Sequence, residues 1–199
     1  VFLEKLGRAV HAAKEKSFLV GDLGMARGGP TLSGHSSHQT GLDADIWYWR
    51  TKKKLTEEER EKHPSKPLVD RTTKNVDPSA FGREALGLVR RFAESEEVER
   101  IFVNYAVKKY LCEKHGSEPW IRKTRAWFGH DHHFHVRLRC PPDSPDCVPG
   151  DPIPEGNGCD ETLAWWSSEE ARAQEALQRT KPPEMPKLPE HCEAVLTAP

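Results

Sequence analysis

Apolar residues in positions 1–15 fall at Phe2, Leu6, Ala9, Val10 and Ala13, the spacing of a helix with one buried face. Residues 17–23 read as a strand, and a loop of glycines and small hydroxyl residues leads into a second strand over 42–49. Residues 50–74 mix a lysine run with glutamates and prolines and read as a solvated excursion. Asp77-Pro78 has the chemistry of a helix start, a capping carboxylate followed by proline, and Phe81, Ala85, Leu88, Val89 and Phe92 supply the buried stripe. A strand over 98–103 and a shorter helix over 106–114, with Val107, Tyr110 and Leu111 inward, come next. From His133 the chain alternates, with Phe134, Val136 and Leu138 on one face and His133, His135, Arg137 and Arg139 on the other. After Cys159 a weak amphipathic helix over 167–178 precedes the proline-rich run Lys181-Pro182-Pro183-Glu184-Met185-Pro186-Lys187-Leu188-Pro189. Helices and strands in this order predict an α+β fold, a small antiparallel sheet flanked by helices, rather than a doubly wound sheet. The expected division is a domain over 1–160 and an extension over 161–199.

Composition narrows the function classes. A chain of 199 residues with 36% hydrophobic content can build one core. Its net charge of −1 argues against a general nucleic-acid binder, and no run of 18 apolar residues is present to span a membrane. Val1 already lies inside a helical pattern, with no basic-then-apolar leader before it, so any signal peptide is expected to have been removed or left out. Cys112, Cys140, Cys147, Cys159 and Cys192 lack the C-x-x-C spacing of a zinc ribbon. The segment Cys140-Pro141-Pro142-Asp143-Ser144-Pro145-Asp146-Cys147 reads as a short turn closed by its own disulfide, which favours an oxidising compartment. The odd count leaves one thiol without a partner in this chain.

The strand from His133 carries an apolar face for a core and two imidazoles on its back. A His-x-His pair sets two rings roughly 6–7 Å apart at the backbone, so one can hold a metal while the other reaches a water beside it. Outside ligands come from Gly34-His35-Ser36-Ser37-His38-Gln39-Thr40-Gly41-Leu42-Asp43-Ala44-Asp45-Ile46, with His38 at the end of a loop and Asp45 on the strand it feeds. Together His38, Asp45 and His135 make an open zinc site with a fourth position left for water. Arg137 shares their strand face and suits either a salt bridge or a substrate carboxylate. Trp47 and Trp49 share the parity of Asp45, and one of them can line the cleft.

That segment and His130-Asp131-His132-His133-Phe134-His135-Val136-Arg137-Leu138-Arg139-Cys140-Pro141 closely resemble the matching elements of the penicillin-insensitive murein endopeptidases. These belong to a wider group of zinc peptidases that includes lysostaphin-type enzymes, D-Ala-D-Ala dipeptidases and the hedgehog signalling domain. The likeness runs from about residue 19 to residue 159 and includes Arg100-Ile101-Phe102-Val103-Asn104 and Trp127-Phe128. It implies one zinc ion on His38, Asp45 and His135, with His133 as the base beside the activated water. It also implies that His130 is a second active-site histidine and that His35 lines the site. The implied substrate is the peptide cross-link of peptidoglycan, chiefly the D-alanyl to meso-diaminopimelyl bond, in the periplasm. The resemblance further implies disulfides Cys112–Cys159 and Cys140–Cys147, with the partner of Cys192 upstream of Val1. Asp131 and His132 fall where no fixed chemistry is expected. Some such proteins hold a second metal, but the region after the site strand offers only Asp70 and Asn75, so one ion is expected. His11, His63, His115 and His191 stand on polar stretches and read as solvated.

The implied mechanism cleaves an amide without a covalent intermediate. Zinc acidifies a water and polarises the scissile carbonyl, and His133 carries the proton to the leaving amine. His130 or His35 stabilises the oxyanion or holds the substrate. Two other classes stay in view: a zinc-binding recognition module without catalysis, and a ββα-metal nuclease. The pairing of His133 with His130 opposes the first, and the neutral charge and missing Asn/His helix oppose the second.

Overall fold

In the computed structural model, five strands form one sheet in the order β1-β2-β5-β3-β4, where β1 is Ser17–Val20, β2 Asp43–Thr51, β3 Val98–Asn104, β4 Thr124–Trp127 and β5 His133–Leu138. The structure describes residues 1–30, 37–62, 66–70 and 72–180, with Leu188, Glu190, Cys192 and Val195 beyond them. The proline-rich run therefore lies largely outside the described residues. Strand β5 is central and antiparallel to both β2 and β3. The edge strand β4 runs parallel to β3, so the sheet is mixed rather than wholly antiparallel. A parallel neighbour needs a crossover, and helix α4 (Tyr105–His115) with the 3-10 turn Pro119–Lys123 provides it.

Helices α1 (Phe2–Ala12), α3 (Arg83–Glu94) and α4 cover one face of the sheet. Phe134 of β5 is fully buried there, its ring 5.3 Å from Phe92 of α3 and 5.4 Å from Tyr48 of β2. Phe92 in turn meets Phe2 and Phe18 edge-on, which joins α1 and β1 to the same core. The stripe Ala85, Leu88, Val89 and Phe92 is buried as its spacing requires, and Phe81 joins it from the preceding turn.

The first strand ends at Val20 rather than at residue 23, and two larger differences from the sequence reading follow. Helix α3 begins at Arg83, not at Asp77-Pro78. The Asp77 carboxylate instead closes a single turn, accepting from Ser79 N at 2.8 Å and Ser79 Oγ at 2.6 Å, and extended Gly82 resets the chain before the helix starts. Residues 50–74 are not wholly solvated either. They contain the charged, capped helix α2 (Glu57–Glu61), but Leu68 and Val69 return to the core, and Leu68 N donates to Asp131 O at 2.7 Å. Asp70 spends its carboxylate on the amides of Thr72 and Thr73, closing a turn. His115 is half-buried and pairs with Glu118 at 2.6 Å instead of standing in solvent, whereas His11 is exposed and His63 and His191 lie outside the described residues.

Disulfides Cys112–Cys159 and Cys140–Cys147 are both formed, and Cys192 is free among the described residues. Beside the first of them, Lys108 is fully buried, with Nζ donating to Ile121 O (3.0 Å), Thr124 Oγ1 (3.1 Å) and Asn157 O (2.6 Å). Burial pushes this amine down to about 7 and nearby Arg125 adds to the push, while the three oxygen acceptors favour its charged form. Two further helices, α5 (Thr162–Trp165) and α6 (Glu169–Thr180), follow the second half of the disulfide-bonded segment.

Candidate active site

The sheet face away from the helices is a grid set by register. Asp43, Asp45 and Trp47 of β2 stand opposite Arg137, His135 and His133 of β5, and Arg100 and Phe102 of β3 stand opposite Arg137 and His135. Because side chains alternate, the residues between them, Ala44, Ile46, Phe134, Val136 and Ile101, go to the core. His38 enters from the turn before β2. Its backbone lies against Gly24, where an added Cβ would sit 2.8 Å from His38 O, so only glycine allows that approach.

Three buried donors converge. His38 Nε2 is 3.1 Å from His135 Nδ1 and 3.4 Å from Asp45 Oδ1, and His135 Nδ1 is 3.1 Å from the same oxygen. Among the described residues this is the one group of three such side chains able to hold a metal ion together. The set of two imidazoles and one carboxylate is a zinc set, and donors about 2.0–2.1 Å from a tetrahedral centre stand about 3.3 Å apart, close to the observed edges. The residues present therefore fit the ion.

The far side of His135 is held as a metal-ligating ring should be. Its Nε2 meets Asp43 Oδ1 at 2.7 Å, and Arg137 clamps Asp43 with Nε at 2.8 Å from Oδ1 and a terminal nitrogen at 2.6 Å from Oδ2. A carboxylate on the outer nitrogen fixes tautomer and ring angle, leaving Nδ1 for the metal. Burial would raise the Asp43 and Asp45 carboxyls, yet the surrounding imidazoles, with Arg137 at Asp43, hold both below the ordinary range. Burial would likewise lower His135, but hydrogen bonds to the two carboxylates raise it instead. Both carboxyls thus remain anionic donors.

His133 is more open than these three, with 27% of its side chain exposed, and its Nε2 lies 3.5 Å from Asp45 Oδ2. His130 packs 5.2 Å from the His133 ring and 6.0 Å from that of His135. It gets there through two consecutive left-handed residues, Gly129 (φ 66°) and His130 itself (φ 54°), a conformation that costs a side-chain-bearing residue about 1 kcal/mol or more. Asn104 holds the turn by donating from its side chain to Gly129 O at 2.6 Å and from its backbone to His130 O at 3.2 Å. The Nδ1 of His130 stands 2.6 Å from Phe128 O, which can only accept, so Nδ1 carries the proton. Burial pushes the ring down to about 4, with His133 adding to the effect, so it is neutral near pH 7 and its Nε2 is an acceptor.

A cleft of about 420 Å³ opens over His130, His135, Phe102, Arg100 and Arg137, bounded by Trp127 on one side and residues 149–151 at one end. Trp127 is 45% exposed and leans on Phe102 and on Trp166, beyond α5. Trp47 lies 6.2 Å from the His133 ring and Trp49 is largely exposed. His132 turns to Asp131 rather than to the donors, as its parity requires, and His35 lies outside the described residues. Asp43, Arg100 and Phe102 stand in the family-like segments of the sequence but carry no role there. Asp43 shares the parity of Asp45, but only the strand pairing shows that it meets His135.

Comparison with known proteins decides the family. The family model for penicillin-insensitive murein endopeptidase matches residues 1–197. The chain belongs to the penicillin-insensitive murein endopeptidases. Relatives carrying that name include one from Pectobacterium atrosepticum, 40% identical over 98% of this chain and 69% of its own length, and one from Klebsiella pneumoniae, 40% identical over 98% and 70%. One from Escherichia coli is 38% identical over 98% of this chain and 71% of its own length. As a murein endopeptidase the chain acts on peptide bonds of peptidoglycan, and none of its described helices is long and apolar enough to cross a membrane.

Proposed function

We propose that this murein endopeptidase hydrolyses the D-alanyl to meso-diaminopimelyl cross-link in the periplasm, using one zinc ion held by His38, Asp45 and His135. The observation that carries the reading is the triangle of buried donors with 3.1–3.4 Å edges, backed on its outer side by the Asp43–Arg137 pair. When bound, the zinc ion supplies a Lewis acid that brings the pKa of a water toward about 7 and polarises the scissile carbonyl.

The chain's own residues do the rest. Asp43 and Arg137 keep the His135 ring fixed. His133, half-open and beside Asp45, takes the proton of the attacking water at Nε2 and delivers it to the amine that leaves. A neutral His130 offers Nε2 as an acceptor for a substrate N–H, a role that suits it better than donating to an oxyanion. Two disulfides favour an oxidising compartment, which supports the periplasmic reading.

The test is conversion of cross-linked to uncross-linked muropeptides in purified sacculi, read after the glycan strands are digested with a muramidase. Chelation is expected to abolish it, zinc to restore it, and a β-lactam to leave it unchanged. Inhibition by the β-lactam, or full activity in protein stripped of metal, would sink the reading.

A further inference from the structure

Arg100 and Arg137 line the cleft, Arg125 stands near them on β4, and the neighbours of the three differ. Arg137 is matched by the Asp43 carboxylate on two points. Arg125, paired across β4 with Phe102, spends one terminal nitrogen on the carbonyls of Pro154 and Gly156. Arg100, paired across β3 with Arg137, donates to Asp151 O at 2.6 Å, and among the described residues it makes no ion pair. Glu99 lines the same end of the cleft without pairing with it. A guanidinium has five donors in a planar fork suited to a carboxylate, so Arg100 keeps most of its capacity for a ligand.

Its position relative to the candidate metal site is defined by one aromatic ring. The guanidinium carbon lies 5.6 Å from the centre of Phe102, and that centre lies 5.7 Å from the centre of the His135 ring. The first of these distances lies within cation–π range of Phe102, and the segment around Gly150 bounds that end of the cleft.

Resting on the endopeptidase reading above, we infer that Arg100 binds the carboxylate on the D-centre of diaminopimelate, the carbon that carries the scissile nitrogen. That carboxylate sits two bonds from the nitrogen. With the scissile bond over His135, this carboxylate, its oxygens about 3 Å from the nitrogen, turns toward β3, where Arg100 can hold it by a charge-assisted hydrogen bond. Arg137 has Nε and one terminal nitrogen committed to Asp43 and that same nitrogen within reach of Ser37 O, so it offers less of its fork than Arg100 does. Arg100 thus sets specificity for the residue on the amine side of the bond and takes no part in the chemistry.

Lysine is the side chain that results when that one carboxylate is deleted from diaminopimelate. The experiment compares kcat/KM of the zinc-loaded protein for two synthetic cross-linked peptides identical except that the amine side is meso-diaminopimelate or L-lysine. The unsubstituted protein is expected to prefer diaminopimelate by about 10–100-fold, the scale of one charge-assisted contact. Arg100→Gln, with zinc content and melting temperature as checks on folding, is expected to bring the ratio to within about twofold of one. Equal rates for both peptides in the unsubstituted protein, or an undiminished ratio in Arg100→Gln, overturns the inference while leaving the endopeptidase reading standing. Cleavage of neither peptide, or of sacculi, overturns both.

Discussion

The two faces of β5 carry different kinds of order. Toward the helices, Phe134 and Val136 meet many apolar neighbours, and each contact is replaceable by others of similar size. Toward the cleft, His135 meets Asp43, Asp45 and His38 through one nitrogen each way, and every partner is itself committed. The difference is between a sum of many small terms and a chain of a few specific ones. Loss on the first face should be graded in stability, and loss on the second should be abrupt in function.

Substitutions that strike the two faces separately sharpen this contrast. His135→Ala is expected to lose both zinc and muropeptide cleavage, because two protein donors remain, and metal analysis beside the activity assay checks it. His133→Ala should keep stoichiometric zinc while activity falls by on the order of 10²–10⁴-fold, the usual share of general acid–base catalysis. A metal-free His133→Ala protein, or a fully active one, means that the division of labour between the two histidines is wrong. Asp43→Asn removes only the anchor of the His135 ring and should weaken zinc affinity by about 10–100-fold, read from competition with a chelating dye. On the other face Phe92→Ala should cost about 3–5 kcal/mol in denaturant unfolding, with zinc content and activity per folded molecule near normal. If Phe92→Ala instead strips the metal at temperatures where the protein stays folded, the two faces are not energetically separate.

Much of the core face was legible because period two and period 3.6 are local. Phe134, Val136, Leu88 and Phe92 needed only their neighbours in sequence. The candidate donors His38, Asp45 and His135, which the structure brings together, were legible as chemistry, since imidazoles and a carboxylate beside strand patterns have few other uses together. What was not legible depends on register. Asp43 becomes a support for His135, and Arg100 a neighbour of Arg137, only through strand pairing between segments 92 and 37 residues apart, which no local pattern encodes. Strand β4 escaped because Thr124-Arg125-Ala126-Trp127 is too short to show alternation against its background. The start of α3 was displaced for the opposite reason. A good local cap at Asp77 was satisfied by one turn, and Gly82 then broke the continuation.

Lys108 has a bearing on the order in which the molecule can be assembled. Two of the oxygens around its amine belong to the crossover itself, Ile121 and Thr124, but the third arrives with Asn157, 49 residues later in the chain. Until that carbonyl is in place, the ammonium must keep water beside it, because a buried charge short of an acceptor is too costly to hold. Strands β3 and β4 are both complete by Trp127, whereas the third acceptor comes from beyond the Cys140–Cys147 turn. The same short stretch that gives Lys108 its third acceptor also carries Cys159 to Cys112, so one docking serves both the buried charge and the disulfide.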